Sequence, residues 1–115
     1  MIVDDSNIIR RKIERCNDHN VFFVVARASN GEEAFRQFQI HRPTVVTMDL
    51  TMPKMDGLDC IRKLVELDQN VKILVVSALS DKATGIQALK NGAQGFLCKP
   101  FSDEQLVQAL LELVN

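Results

Sequence analysis

Five side chains in this 115-residue sequence combine a reactive type with a place at the end of an apolar run: Asp4, Asp5, Asp49, Ser77 and Lys99. Asp49 ends an apolar, β-branched run, Thr44 to Met48. Asp is a poor strand former, and an unpaired charge at the end of a buried strand is costly. Such an Asp is either solvated at a sheet edge or kept in a site. Three carboxylates brought together repel by roughly several kcal/mol per close pair at an effective dielectric of about 20. Lys99 offsets one charge. A hard divalent cation offsets two more, and all-oxygen donors that leave several waters in place suit Mg²⁺. The expected direct ligands are Asp5 and Asp49, with Asp4 acting mainly through water and a backbone carbonyl at Thr51 completing the set. A carboxylate beside Mg²⁺ and a lysine can attack a phosphoryl group and form an aspartyl phosphate. That reaction needs positioning and charge neutralisation more than acid–base machinery. Mg²⁺ and Lys99 would each take one phosphoryl oxygen, and the Ser77 hydroxyl a third. There is no Walker-type phosphate cradle, so a nucleotide is not the expected donor.

These residues meet only if the elements bring them together. Met1 to Val3 reads as a short buried strand, followed by Asp4-Asp5-Ser6-Asn7, a turn rich in helix caps. Ile8 to Cys16 has helical apolar spacing at Ile9, Ile13 and Cys16. Val21 to Ala28 is β-branched and apolar, hence a strand. A helix follows Gly31, with Ala34, Phe35 and Phe38 inward and Pro43 stopping it. Thr44 to Asp49 is the third strand. Thr51 to Asp56 is loop, and Pro53 and Gly57 act as turn residues. Leu58, Ile61, Leu64 and Val65 mark the third helix. Val71 to Ser77 is a strand, Asp81 to Asn91 a helix closed by Gly92, and Ala93 to Cys98 the fifth strand. Ser102 caps a last helix with Leu106, Leu110 and Leu113 inward. Five strands alternating with five helices imply a parallel sheet covered on both faces. Right-handed crossovers favour strand order 2-1-3-4-5. In such a sheet ligands bind beyond the carboxyl ends of the strands, which is where all five reactive side chains fall.

In these residues the sequence resembles the receiver domains of two-component response regulators. The motifs are Asp4-Asp5 after strand one, Asp49 after strand three, Met55-Asp56-Gly57 in the loop, Ser77-Ala78 after strand four and Lys99-Pro100 after strand five. The resemblance spans the whole chain, residues 1–115. It implies a flavodoxin-like (βα)5 three-layer sandwich. It also implies that Asp49 takes a phosphoryl group from a phosphohistidine on a histidine kinase or histidine phosphotransfer protein. Phe96 stands where the family places a switch aromatic. Ser77 would move to bond the phosphoryl group, Phe96 would rotate into the space, and the face of helix four, strand five and helix five would change its partners. The output would be a downstream protein target or an output domain absent from this chain. A homodimer through that same face is a further expectation. Helix five supports it with a second apolar stripe, Val107, Leu111 and Val114, for which sideways packing on a neighbouring helix is the equal alternative.

Each residue also has a plainer reading: Asp4-Asp5 as a cap pair, Ser77 as a strand-end hydroxyl, Lys99 as a solvated lysine, Phe96 as core. Asp56 is read as turn chemistry. Arg10, Arg11, Lys12 and Arg15 read as a solvated basic face. Composition narrows the classes: a net charge of −1, 46% apolar and 25% charged residues suit a cytoplasmic globular domain and give no nucleic-acid footprint. No apolar run reaches membrane-spanning length. Cys16, Cys60 and Cys98 are expected to be reduced and packed. Strand one is shorter than usual, which should cost stability. Two other functions compete: a non-phosphorylated receiver-like interaction domain, and a flavodoxin-like small-molecule binder. The second would need a Gly- and hydroxyl-rich phosphate loop where Asp4-Asp5-Ser6-Asn7 stands.

Overall fold

The structure, a computed structural model, describes residues 1–16, 22–50, 57–78 and 82–114. Its elements run β1 (Ile2–Val3), α1 (Asn7–Arg15), β2 (Arg27–Ala28), α2 (Gly31–His41), β3 (Val45–Met48), α3 (Gly57–Leu67), β4 (Lys72–Ser77), α4 (Lys82–Lys90), β5 (Gly95–Cys98) and α5 (Asp103–Val114). All strand pairs are parallel, in the order β2-β1-β3-β4-β5. Strict alternation along β4 shows why the sheet carries helices on both sides. Ile73 and Val75 join one apolar cluster with Phe38, Cys60, Ile61 and Leu64 from α2 and α3. Leu74 and Val76 join the other with Ile13, Leu106 and Leu110 from α1 and α5. All four β4 side chains are buried, each a contribution of about 1.5–3 kcal/mol.

The helices start where the caps lie. Ser6 Oγ accepts from the Ile9 N–H and Asn30 Oδ1 from the Glu33 N–H. Ser102 and Gln105 cap reciprocally, each side chain accepting from the other's N–H, the arrangement that satisfies two orphan donors at once. Gly92, at φ +120°, follows α4 and lies against Val65. Among the described residues no helix is long and apolar enough to cross a membrane.

The structure corrects the sequence reading in three places. The expected strand Val21–Ala28 is a ladder only at Arg27–Ala28; Val21 itself lies outside the described residues. β1 offers only Ile2 and Val3 as partners. Its ladder closes with Ile2 N–H on the Ala26 carbonyl and Asp4 N–H on the Ala28 carbonyl. Residues 22–25 run past its end, where Phe23 is 86% exposed. A groove of about 400 Å³ opens there, at the end of the sheet away from the carboxylates, lined by Phe22, Val24, Val45 and Leu110. Cys98 is exposed rather than packed, because β5 is an edge strand and Cys98 is its last residue; Cys16 is half-buried and Cys60 buried, and all three are free thiols. The basic face of α1 is only partly solvated. Arg11 and Arg15 are exposed, but Arg10 and Lys12 are half-buried and engaged. On α5, Leu106 and Leu110 are buried and Leu113 packs at the edge of their cluster. Val107, Leu111 and Val114 stand outside both clusters, with Val114 45% exposed.

Candidate functional site

The site is built by strands that stop in step. The Asp4 N–H still donates to the Ala28 carbonyl at 3.0 Å, so Asp4 continues the line of β1. Its Oδ1 accepts the Ser6 N–H at 2.9 Å, which turns the chain into α1. The Asp49 N–H donates to the Val3 carbonyl at 2.9 Å, placing Asp49 beside Asp4 at the end of β3. Asp4 and Asp49 are buried, at 1% and 2% exposure, whereas Asp5 is exposed. One oxygen from each of the three carboxylates lies within 4.8 Å of the others. Two unit charges at that separation repel by about 3 kcal/mol at an effective dielectric of 20.

Lys99 supplies the counter-charge. Its N–H donates to the Ser77 carbonyl at 2.9 Å. Its Nζ lies 2.8 Å from Asp4 Oδ2 and 3.7 Å from Asp49 Oδ2, with the side chain 17% exposed. The peptide bond Lys99–Pro100 is cis. Both Asp4 oxygens are therefore engaged, one by Ser6 and one by Lys99. Ser77 is fully buried and pairs in register with Cys98, the residue before Lys99. Phe96 is half-buried against the larger cluster, and a Cβ on Gly85 of α4 would lie 3.6 Å from its ring. The strand ends thus gather Asp4, Asp5, Asp49 and Lys99 into contact range and put Ser77 on the adjoining rung, as the spacing predicts. Thr51, Met55 and Asp56 lie outside the described residues. A cluster of carboxylate oxygens this close, opposed among the described residues by the Lys99 ammonium, has the donor chemistry of a site for a hard divalent cation.

Three residues matter here in ways the sequence did not announce. The sequence marks Gly57 as a turn residue, but it opens α3 directly on the Asp49 backbone. A Cβ there would fall 2.6 Å from Leu50 Cα and 2.7 Å from the Asp49 carbonyl oxygen. Only a residue without Cβ permits that approach. Arg10 donates to the Asp4 carbonyl and to Asn7 Oδ1, and Lys12 donates to the Phe101 carbonyl. The Arg10–Asn7 pair has ordinary i,i+3 helix spacing, but the Lys12–Phe101 contact has no signal in sequence spacing, since it depends on which loop the topology lays across α1.

Known proteins share this arrangement. Residues 1–111 match the profile of the response regulator receiver domain. The chain is 39% identical over 110 residues to the chemotaxis protein CheY of Thermotoga maritima, covering 96% of this chain and 92% of that one. It is 36% identical over 115 residues to CheY of Bacillus subtilis, covering 100% and 96%. The fold superposes with a TM-score of 0.94 on a chain of the CheX–CheY–BeF3–Mg crystal structure from Borrelia burgdorferi. That match has 32% identity and covers 99% of this chain and 87% of that chain. With its strand order, its acidic triad and its lysine all in the places the motifs predict, the chain belongs to the response regulator receiver domain family, the phosphoacceptor modules of two-component signalling.

Proposed function

We propose that Asp49 is the phosphoacceptor and that residues 1–115 act as one receiver unit in the cytoplasm. The observation that carries this is a buried Asp49 with two further carboxylates within 4.8 Å and the Lys99 ammonium 3.7 Å away. The donor is a phosphohistidine on a histidine kinase or histidine phosphotransfer protein. An Asp49 oxygen attacks phosphorus, the P–N bond breaks, and the imidazole leaves with its electron pair. The product is a mixed carboxylic–phosphoric anhydride on Asp49. Mg²⁺ held by Asp5, Asp49 and the Thr51 carbonyl, with Asp4 reached through water, would neutralise charge on the phosphoryl oxygens. The engagement of both Asp4 oxygens, by the Ser6 N–H and by Lys99, supports the place of Asp4 behind water rather than directly on the ion. The Borrelia CheY, crystallised with BeF3 and Mg, supports the same cation.

The chain's own side chains do the rest. Asp4 orients Lys99 by an ion pair that is mostly out of water. Lys99 can swing from Asp4 toward a phosphoryl oxygen on Asp49 without leaving the site, since the two carboxylates flank it. Ser77 donates its hydroxyl to another phosphoryl oxygen, and Phe96 follows it. The face of α4, β5 and α5 then changes its affinity for a downstream target or an output domain. Exposed Ile86 and Leu89 on α4 and Val114 on α5 support that face as the contact surface, for a partner or for a second copy of this chain. The module is a signalling protein that assists its own phosphorylation rather than an enzyme acting on a separate substrate. Incubation with Mg²⁺ and a small acyl phosphate, read by intact mass, should add one phosphoryl group that Asp49→Asn abolishes. An unmodified wild-type chain, or an Asp49→Asn chain modified equally, overturns the assignment.

A further inference from the structure

Helix α1 touches the backbone on both sides of the Lys99–Asp4 ion pair. Arg10 donates to the carbonyl of Asp4 itself. One half-turn on, Lys12 donates to the carbonyl of Phe101, two residues past Lys99. The Lys12 ammonium also lies over the Phe101 ring, 4.6 Å from its centroid. That ring is buried in the cluster that includes Ile13 of α1 and Leu106 of α5. Lys12 is therefore bound twice to one residue, through a charge-assisted hydrogen bond and a cation–π contact. The residue it grips is the anchor of the Lys99-Pro100 turn. Arg11, between the two, is exposed and makes none of these contacts.

We propose that Lys12 is a positioning residue for Lys99: it pins the β5–α5 turn against α1 and so sets where the Lys99 ammonium stands between Asp4 and Asp49. The other end of the turn is tied by the Lys99 N–H on the Ser77 carbonyl. With both ends fixed, the Lys99 side chain reaches across a set distance. Loosening the Phe101 end lets the ammonium drift among three carboxylates that all attract it. Asp4 and Asp5 follow β1 and Asp49 follows β3, and the contacts of Lys12 are with Phe101 rather than with any of the three, so the cation-binding geometry is untouched. The prediction is thus selective: phosphoryl transfer suffers and divalent-cation affinity does not.

This rests on Asp49 being the phosphoacceptor, and the experiment separates the two ideas. Wild type, Lys12→Met, Lys12→Arg and Arg11→Met are compared for the phosphorylation rate with a small acyl phosphate at saturating Mg²⁺. Mg²⁺ affinity is followed by NMR shifts, and amide exchange is measured at Lys99 and Phe101. Lys12→Met should slow phosphorylation about tenfold, the scale of a sub-ångström misplacement of a reacting group. It should speed amide exchange at Lys99 and Phe101 and leave Mg²⁺ affinity within about twofold of wild type. Lys12→Arg, which retains the cation and the donor, should recover most of the rate, and Arg11→Met should behave as wild type. Unchanged rate and unchanged exchange in Lys12→Met overturn the proposal. So does an equal loss of Mg²⁺ affinity, which would mark a general structural defect. If the wild type is not phosphorylated at all, the Asp49 assignment fails, and the exchange data still decide whether Lys12 holds the turn.

Discussion

Replacing Gly57 with alanine tests the tightest contact beside the site. The new methyl would sit 2.6 Å from Leu50 Cα, 2.7 Å from the Asp49 carbonyl oxygen and 3.1 Å from Leu50 Cδ2. Ordinary carbon contacts fall at roughly 3.5–4.0 Å, so α3 and the segment after β3 must part by about 0.8 Å. Neither side yields easily. The first two atoms are backbone, and Asp49 is tied through its N–H to the Val3 carbonyl. Overpacking of this kind costs about 1–3 kcal/mol, against at most about 1 kcal/mol of helix propensity gained over glycine. The expected net loss is about 1–2 kcal/mol. At a urea m-value of about 2 kcal/mol/M, within the usual range for a small domain, the midpoint should fall by about 0.5–1 M. Urea titration in EDTA, with the matched variant Gly85→Ala, provides the contrast. A Cβ at Gly85 meets only the Phe96 ring, at 3.6 and 3.7 Å, which is ordinary contact. Gly85→Ala should therefore raise stability by up to about 1 kcal/mol through propensity alone. Gly57→Ala should also slow acyl phosphate uptake, because relief of the clash displaces Asp49 relative to Lys99. A Gly57→Ala protein as stable as wild type and phosphorylated at the same rate would refute the reasoning.

Two further outcomes follow from the charges and thiols. Asp5 is the exposed member of the acidic triad. Asp5→Asn should stabilise the protein in EDTA by relieving repulsion, by less than about 1 kcal/mol because water screens it, and so raise its melting temperature; it should also shrink the rise that added Mg²⁺ produces, and a lower melting temperature in EDTA would contradict this. Burial pushes the Cys60 thiol up from 9.0 to about 11. Above pH 9 the unfolded chain gives up this proton while the folded one keeps it, so stability is intact below that pH and falls as pH rises toward 11, by about 2–3 kcal/mol for this group. Denaturation midpoints at pH 8.5 and 10.5 should show a smaller drop in Cys60→Ala than in wild type; an identical drop would assign the effect to other groups.

Much of this molecule is legible from one dimension because its information is local. The alternation of apolar runs and helical spacings is a property of short windows, and parallel crossovers leave few ways to assemble them. Asp4, Asp49, Ser77 and Lys99 were readable because each sits at a strand end, and strand ends meet in such a sheet. What escaped depends on partners distant in sequence. The length of β2 is set by β1, since a strand extends only as far as its neighbour. Cys98 is exposed because β5 has a neighbour on one side only. Gly57 looks like turn punctuation until α3 is seen resting on the Asp49 backbone. Arg10 and Lys12 sit on the same helix as Arg11 and Arg15, and nothing in their spacing says that loops from the first and last strands lie across two of the four.

The ion pair between Lys99 and Asp4 joins residues 95 positions apart. It closes across nearly the whole chain, with the first strand in the interior of the sheet and the last at its edge. During synthesis Asp49 and its acidic neighbours emerge well before the lysine that balances them. A chain stopped short of residue 99 has three carboxylates at the strand ends and no Lys99 ammonium to oppose them. It lacks β5 as well, and with it the backbone bond from Lys99 to Ser77. On the assignment proposed above, competence to accept a phosphoryl group therefore waits for β5, through a contact of high sequence separation. The chemistry doubles as a check on completion: a receiver able to hold the signal is one that has finished folding.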